Sequence, residues 1–118
     1  MSLLAIFFVL LVAMEHFYIM VLEMFLLSSK SAKRTFGLTE EAVSNPQIRT
    51  LFANQGLYNG FLAAGLIFGL ILDSPAVQLY FLGCVIVAAL YGAATANVSI
   101  LFKQGLPAII AFLLVLFI

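Results

Sequence analysis

Three side chains within one apolar run have the chemistry to move a proton or hold a ligand: Glu15, His16 and Glu23. In a helix His16 and Glu23, seven positions apart, share a face, and Glu15 is turned from them by roughly 100°. A charge at the centre of a lipid-spanning helix costs roughly 2.5–3.5 kcal/mol on insertion scales, so such residues read as functional by default. A second polar set, Asn54, Gln55, Tyr58 and Asn59, falls on one contiguous helical arc by i, i+3 and i+4 spacing. Gln104 adds an amide near the chain's last apolar run. Each acid or base also has a plainer role. Glu23 could end a helix and pair with Lys30 or Lys103, His16 could be a neutral imidazole bonded to Asn59 or Tyr58, and Glu15 could be a buried acid against Gln or Asn. The set lacks the His pair at i, i+4 of a zinc helix and any second His, so no metal is expected. With no Gly-rich phosphate loop, Ser-His-Asp set or CxxC, no cofactor is expected either.

The elements that must position these residues follow from composition. The chain has 118 residues, 65% of them hydrophobic and 8% charged, against roughly 45–50% and about 25% in soluble domains. Such a chain cannot cover a water-facing surface. Its five basic and five acidic residues cancel, which argues against nucleic acid as a partner. Cys84 is the one cysteine, so no internal disulfide forms. The class is a small all-α polytopic membrane protein, one transmembrane domain over 1–118. A bilayer core of about 30 Å needs roughly 20 apolar residues in helix. Four spans meet that rule, at about 3–27, 50–72, 76–96 and 100–118, forming a four-helix bundle. A polar loop, 28–49, joins the first two, and Thr39 there is placed to cap a short helix starting Glu40-Glu41. Asp73-Ser74-Pro75 is a turn. The fourth span is read as Ile100–Ile118 with a kink at Pro107; its rival has a turn at Gln104-Gly105 and a final segment that only dips into the membrane.

Charge fixes the direction. Lys30, Lys33, Arg34 and Arg49 lie in the first loop and Lys103 beside the third. The positive-inside rule then puts both loops in the cytoplasm and both termini outside. Glu15 and His16 fall near mid-membrane and the other polar residues in the cytoplasmic half, with the outer halves read as nearly pure Leu, Ile, Phe, Val and Ala. Converging polar faces would make a pocket open to the cytoplasm. Gly56 and Gly60, and Ala88 and Gly92, are small-xxx-small pairs that favour close helix packing. Gly65 and Gly69 form another stripe that leaves a homodimer open.

Asn54-Gln-Gly-Leu-Tyr-Asn-Gly60 resembles a motif of a family of small bacterial four-helix membrane proteins of unassigned function. Glu15-His16-Phe17-Tyr18, Glu23-Met24-Phe25, Phe36-Gly37-Leu38, Tyr91-Gly92-Ala93-Ala94-Thr95 and Gln104-Gly105-Leu106-Pro107-Ala108 carry the resemblance along nearly the whole chain. It implies a bacterial inner-membrane protein and hands over no catalytic residue. The family's tryptophan at the end of the first helix is replaced here by Leu26-Leu27-Ser28. A weaker analogy is to the small multidrug resistance transporters, similar in length and helix number, whose essential first-helix glutamate Glu15 would match. Leu106-Pro107-Ala108-Ile109-Ile110 also resembles part of their last helix. The chain has no tryptophan to match theirs, and its charge bias is one-sided where their antiparallel dimers need a weak one.

The first functional expectation is binding or proton-coupled transport of a small amphiphilic or cationic solute, with Glu15, His16 and Glu23 exchanging protons and Asn54, Gln55, Tyr58 and Asn59 holding the solute. The second is a membrane-embedded acid–base enzyme, isomerase-like or quinone/redox-linked, acting on a lipid-soluble substrate. The third is an accessory subunit of a membrane complex. Lipid is the expected surroundings in all three.

Overall fold

The structure, a computed structural model, describes residues 1–118 and is all-α. Its helices are α1 (Leu3–Met24), α2 (Lys30–Phe36), α3 (Glu40–Ser44), α4 (Pro46–Ile71), α5 (Pro75–Thr95) and α6 (Leu106–Phe117), the last preceded by a π-helical turn, Leu101–Gly105. Two compact units form, one from Met1–Glu15 with Leu62–Ile118, the other from His16–Phe61.

In the His16–Phe61 unit, every break between helices has a local cause. The α1 helix ends at Met24 as the Leu26 N–H reaches back five residues to the Val21 carbonyl. Ser29 caps α2 by accepting from Ala32 N at 3.1 Å, and Gly37 stops it at φ 66°. Gly37 is required for that left-handed angle alone, since an added Cβ there would meet nothing. Thr39 caps α3 ahead of Glu40 and Glu41, the arrangement its sequence predicts. Asn45 Oδ1 accepts from Gln47 N and Ile48 N, and Pro46 follows as the first residue of α4. Arg49 donates to Ser28 Oγ at 2.9 Å and to the Val43 carbonyl at 2.8 Å. The Phe36 and Phe52 rings pack 5.4 Å apart. The loop thereby becomes two short helices strapped to the start of α4.

In the other unit, Ala5, Val9, Val12, Ala13, Ala63, Leu66, Leu82, Val85, Ala89, Ala108 and Ala111 are buried almost completely. The link from α4 to α5 is a tight turn in which Asp73 takes φ 50° and Ser74 caps α5 by accepting from Val77 N. Close approach of α4 and α5 is set by glycine. A Cβ on Gly65 would fall 2.5 Å from the Phe81 ring, and one on Gly69 would fall 2.9 Å from Gln78 Cγ. The chain turns again at Asn97–Ile100, where Ile100 N donates to the Asn97 carbonyl. Proline has no N–H and clashes with the carbonyl four residues earlier. The π turn directly before Pro107 widens the ladder there, with Leu106 N reaching back to the Leu101 carbonyl. Gly105 packs against Ala89: a Cβ there would lie 3.2 Å from the Ala89 Cβ.

Two helices, α1 and α5, are long and apolar enough to cross a membrane. The part of α4 up to Asn59 is diluted by Gln47, Arg49, Asn54, Gln55 and Asn59. The apolar stretch Leu101–Phe117 is shorter.

Candidate functional site

In the His16–Phe61 unit, α1 presents Glu23 to α4, where the Asn59 side chain donates Nδ2–H to Glu23 Oε1 at 2.6 Å. Glu23 is only 5% exposed. The helices come this close because the residue one turn before Asn59 on the facing side is Gly56. A Cβ at Gly56 would lie 2.7 Å from Met24 Cγ, 3.0 Å from Glu23 Cβ and 3.2 Å from the Met20 carbonyl oxygen. One turn on, a Cβ at Gly60 would fall 2.6 Å from Met20 Sδ. Gly56 and Gly60 thus form the floor on which the carboxylate and the amide meet. Leaving either group buried without its partner would cost about 1–3 kcal/mol.

The remaining polar residues of the arc do not join this pair. Asn54, Gln55 and Tyr58 are exposed on the outer side of α4. Tyr58 is 60% exposed and stacks edge-on with Phe61 of its own helix. His16 is buried in the same unit as Glu23. No three His, Cys, Asp or Glu side chains gather as metal ligands would.

Glu15 lies in the other unit, and its Oε1 is buried without a hydrogen-bond partner. Gln104 stands half-buried on the π turn. Ala88 faces outward and lines a shallow groove along α5 with Tyr80, Gly83, Cys84, Val87 and Tyr91; its neighbour Ala89 makes the helix contact with Gly105. Gly92 abuts Ile100, with a Cβ there 3.3 Å from Ile100 Cγ2.

One polar residue escapes the sequence reading. Gln78 is fully buried in the first turns of α5, and neither its Nε2 nor its Oε1 has a partner. It shares the buried face of α5 with Leu82, Val85 and Ala89. An isolated glutamine on that face of an otherwise apolar helix was the available signal.

Two arrangements of buried polar groups therefore coexist. A carboxylate clamped by an amide can hold a proton or a polar solute group in a fixed place. A carboxylate and an amide with open bonding positions can take a mobile partner.

Similarity to known proteins is confined to sequences. No solved structure matches the chain. The uncharacterized protein YpaA of Lactococcus lactis subsp. lactis (strain IL1403) is 42% identical over 113 residues, covering 94% of this chain and 95% of that protein. A family model described as protein of unknown function (DUF1304) matches residues 10–116, and the chain belongs to that family.

Proposed function

We propose that the chain is a four-span membrane protein that binds, and carries with proton exchange, a small amphiphilic or cationic solute, using Glu15 and Glu23 as its proton-exchanging groups. The observation that carries the reading is the unpartnered Oε1 of Glu15, buried on the apolar helix α1. An acid kept in such a place without a structural partner is set up to exchange one.

The surface supports the membrane setting. Leu3, Phe7, Leu11, Phe68, Tyr80 and Phe117 are each more than 40% exposed, and large exposed apolar side chains of this kind suit acyl chains. The runs Pro46–Ile71 and Leu101–Phe117 would supply the two further spans, the second near the lower limit of about 17 residues. The basic residues Lys30, Lys33, Arg34, Arg49 and Lys103 favour a cytoplasmic first and third loop and outward termini in a bacterial cytoplasmic membrane. Of Asn54, Gln55, Tyr58 and Asn59 on α4, Asn59 is the one with a carboxylate partner, so it is the best placed to hand a solute group to Glu23.

The test is uptake of tetraphenylphosphonium into proteoliposomes under an imposed pH gradient, with internal pH followed by dye. Wild type should couple uptake to proton efflux, and Glu15→Gln should abolish the coupling at unchanged protein content. Coupled uptake that survives Glu15→Gln removes Glu15 from the mechanism. No uptake by wild type removes transport, and a membrane-embedded acid–base enzyme becomes the reading to pursue.

A further inference from the structure

The only buried side-chain nitrogen or oxygen atoms left without a partner are Glu15 Oε1, Gln78 Nε2 and Gln78 Oε1. All three belong to the unit of Met1–Glu15 and Leu62–Ile118. The hydrophobic core of that unit, from Ala5 and Val9 on α1 to Ala108 and Ala111 on α6, is alkyl and offers a carboxamide nothing to bond. Backbone groups within the helices are already engaged by their own ladders. Gln78 nonetheless stays fully buried, its stem seated against Gly69, where a Cβ would come within 2.9 Å.

An amide that needs a donor and an acceptor together, in a pocket of alkyl groups, is met by water, which supplies both and typically makes about three hydrogen bonds when buried. Access is short. Gln78 lies three residues into α5, roughly 4.5 Å of helical rise from Pro75, and the adjoining turn carries exposed Asp73 and half-buried Ser74. We propose that Gln78 holds bound water inside this unit, admitted from the Asp73–Ser74 turn. The amide itself keeps its protons: Nε2–H donates to the water oxygen and Oε1 accepts from a water O–H. This water site stands independently of the proton-exchange reading of Glu15.

Radiolytic hydroxyl labelling of the protein in lipid nanodiscs tests this, since radicals formed from a bound water mark the side chains beside it even when these are buried. Leu82, fully buried one turn along the same face, should be modified in wild type, and Gln78→Leu should lower that modification at least tenfold. An unmodified Leu82 in wild type, or equal modification in both proteins, overturns the water site. Gln78→Leu should keep the fold and raise Tm by a few degrees, and Gln78→Asn, which keeps the carboxamide, should restore part of the Leu82 modification.

Discussion

Glu15 and Glu23 sit on one helix, in equally apolar sequence, and meet opposite treatment. Glu23 is received by an amide at 2.6 Å over a floor of two glycines. Glu15 keeps an oxygen without a partner, in a unit whose other buried polar side chain, Gln78, is equally unmet. A satisfied buried pair stabilises its surroundings and fixes two helices in register. An unsatisfied one costs stability and leaves its bonding positions open to a further partner. The difference teaches that burial alone does not describe a carboxylate's surroundings; the state of its hydrogen-bonding positions separates a tie between helices from a group open to a further partner. It also separates the two acids in experiment, because removing a satisfied group and removing an unsatisfied one have opposite consequences.

The comparison breaks most forcibly at the glycine floor. Gly56→Leu would drive four carbons into Met24, the Glu23 stem and the Met20 carbonyl, and the last of these is backbone that cannot swing aside. A loss of about 3 kcal/mol is expected, the upper end of ordinary overpacking, read as a fall in Tm in mild detergent. Gly60→Ala should cost less than about 1 kcal/mol, because only the flexible Met20 thioether must yield. Equal costs at the two positions would mean that α1 and α4 do not depend on Gly56 for their spacing.

How far the sequence discloses this can be seen in the same residues. The positions of the long helices follow from apolar runs of about twenty residues and from Asp73-Ser74-Pro75. The short helix α3 follows from Thr39 before two acids. The bracket of Ser29 and Gly37 around α2 is the same kind of signal, masked by the shortness and polarity of Lys30–Phe36. Facing is harder. A helix apolar nearly all round carries no stripe to say which side is inward, so Asn54, Gln55, Tyr58 and Asn59 form one arc in sequence while only Asn59 turns to Glu23. The informative neighbours were the glycines, since Gly56 and Gly60 mark the side of α4 that another helix can approach. Ala88 and Ala89 differ by one residue, and nothing in composition distinguishes the exposed one from the packed one. Gln78 was hidden for a related reason: in one dimension a single amide among alkyl residues does not show whether it faces outward or into the core.

The next prediction sets the two acids side by side through apolar replacement. Glu23→Leu strands Asn59 Nδ2 and should cost about 1–3 kcal/mol; Asn59→Leu strands the carboxylate and should cost a similar amount. The double variant, with both partners apolar, should be no worse than either single one, giving a coupling of about 1–2 kcal/mol in a double-mutant cycle. Glu15→Leu strands nothing. Its effect on stability should stay within about 1 kcal/mol and lean toward a higher Tm, as expected when an unmet polar group leaves a core. If Glu15→Leu destabilises as much as Glu23→Leu, the contrast between the two acids is false.

A third acid supplies the baseline against which both are judged. Glu40 also has a partner, the Lys33 ammonium, which ties the end of α2 to the start of α3 across the Gly37 turn. Its side chain, however, is 80% exposed. Water replaces the lost ammonium as soon as the pair is broken, and salt already screens it. Glu40→Gln should therefore change stability by no more than about 0.5 kcal/mol, and less still in high salt. Part of even that small change belongs to the loss of a negative charge in the first turn of α3. The Lys33–Glu40 and Asn59–Glu23 bonds each join two helices through a carboxylate, so their difference in cost measures what burial adds. Should Glu40→Gln prove as damaging as Asn59→Leu, the hold on Glu23 would owe nothing to its exclusion from water, and the satisfied site would be only one more helix tie.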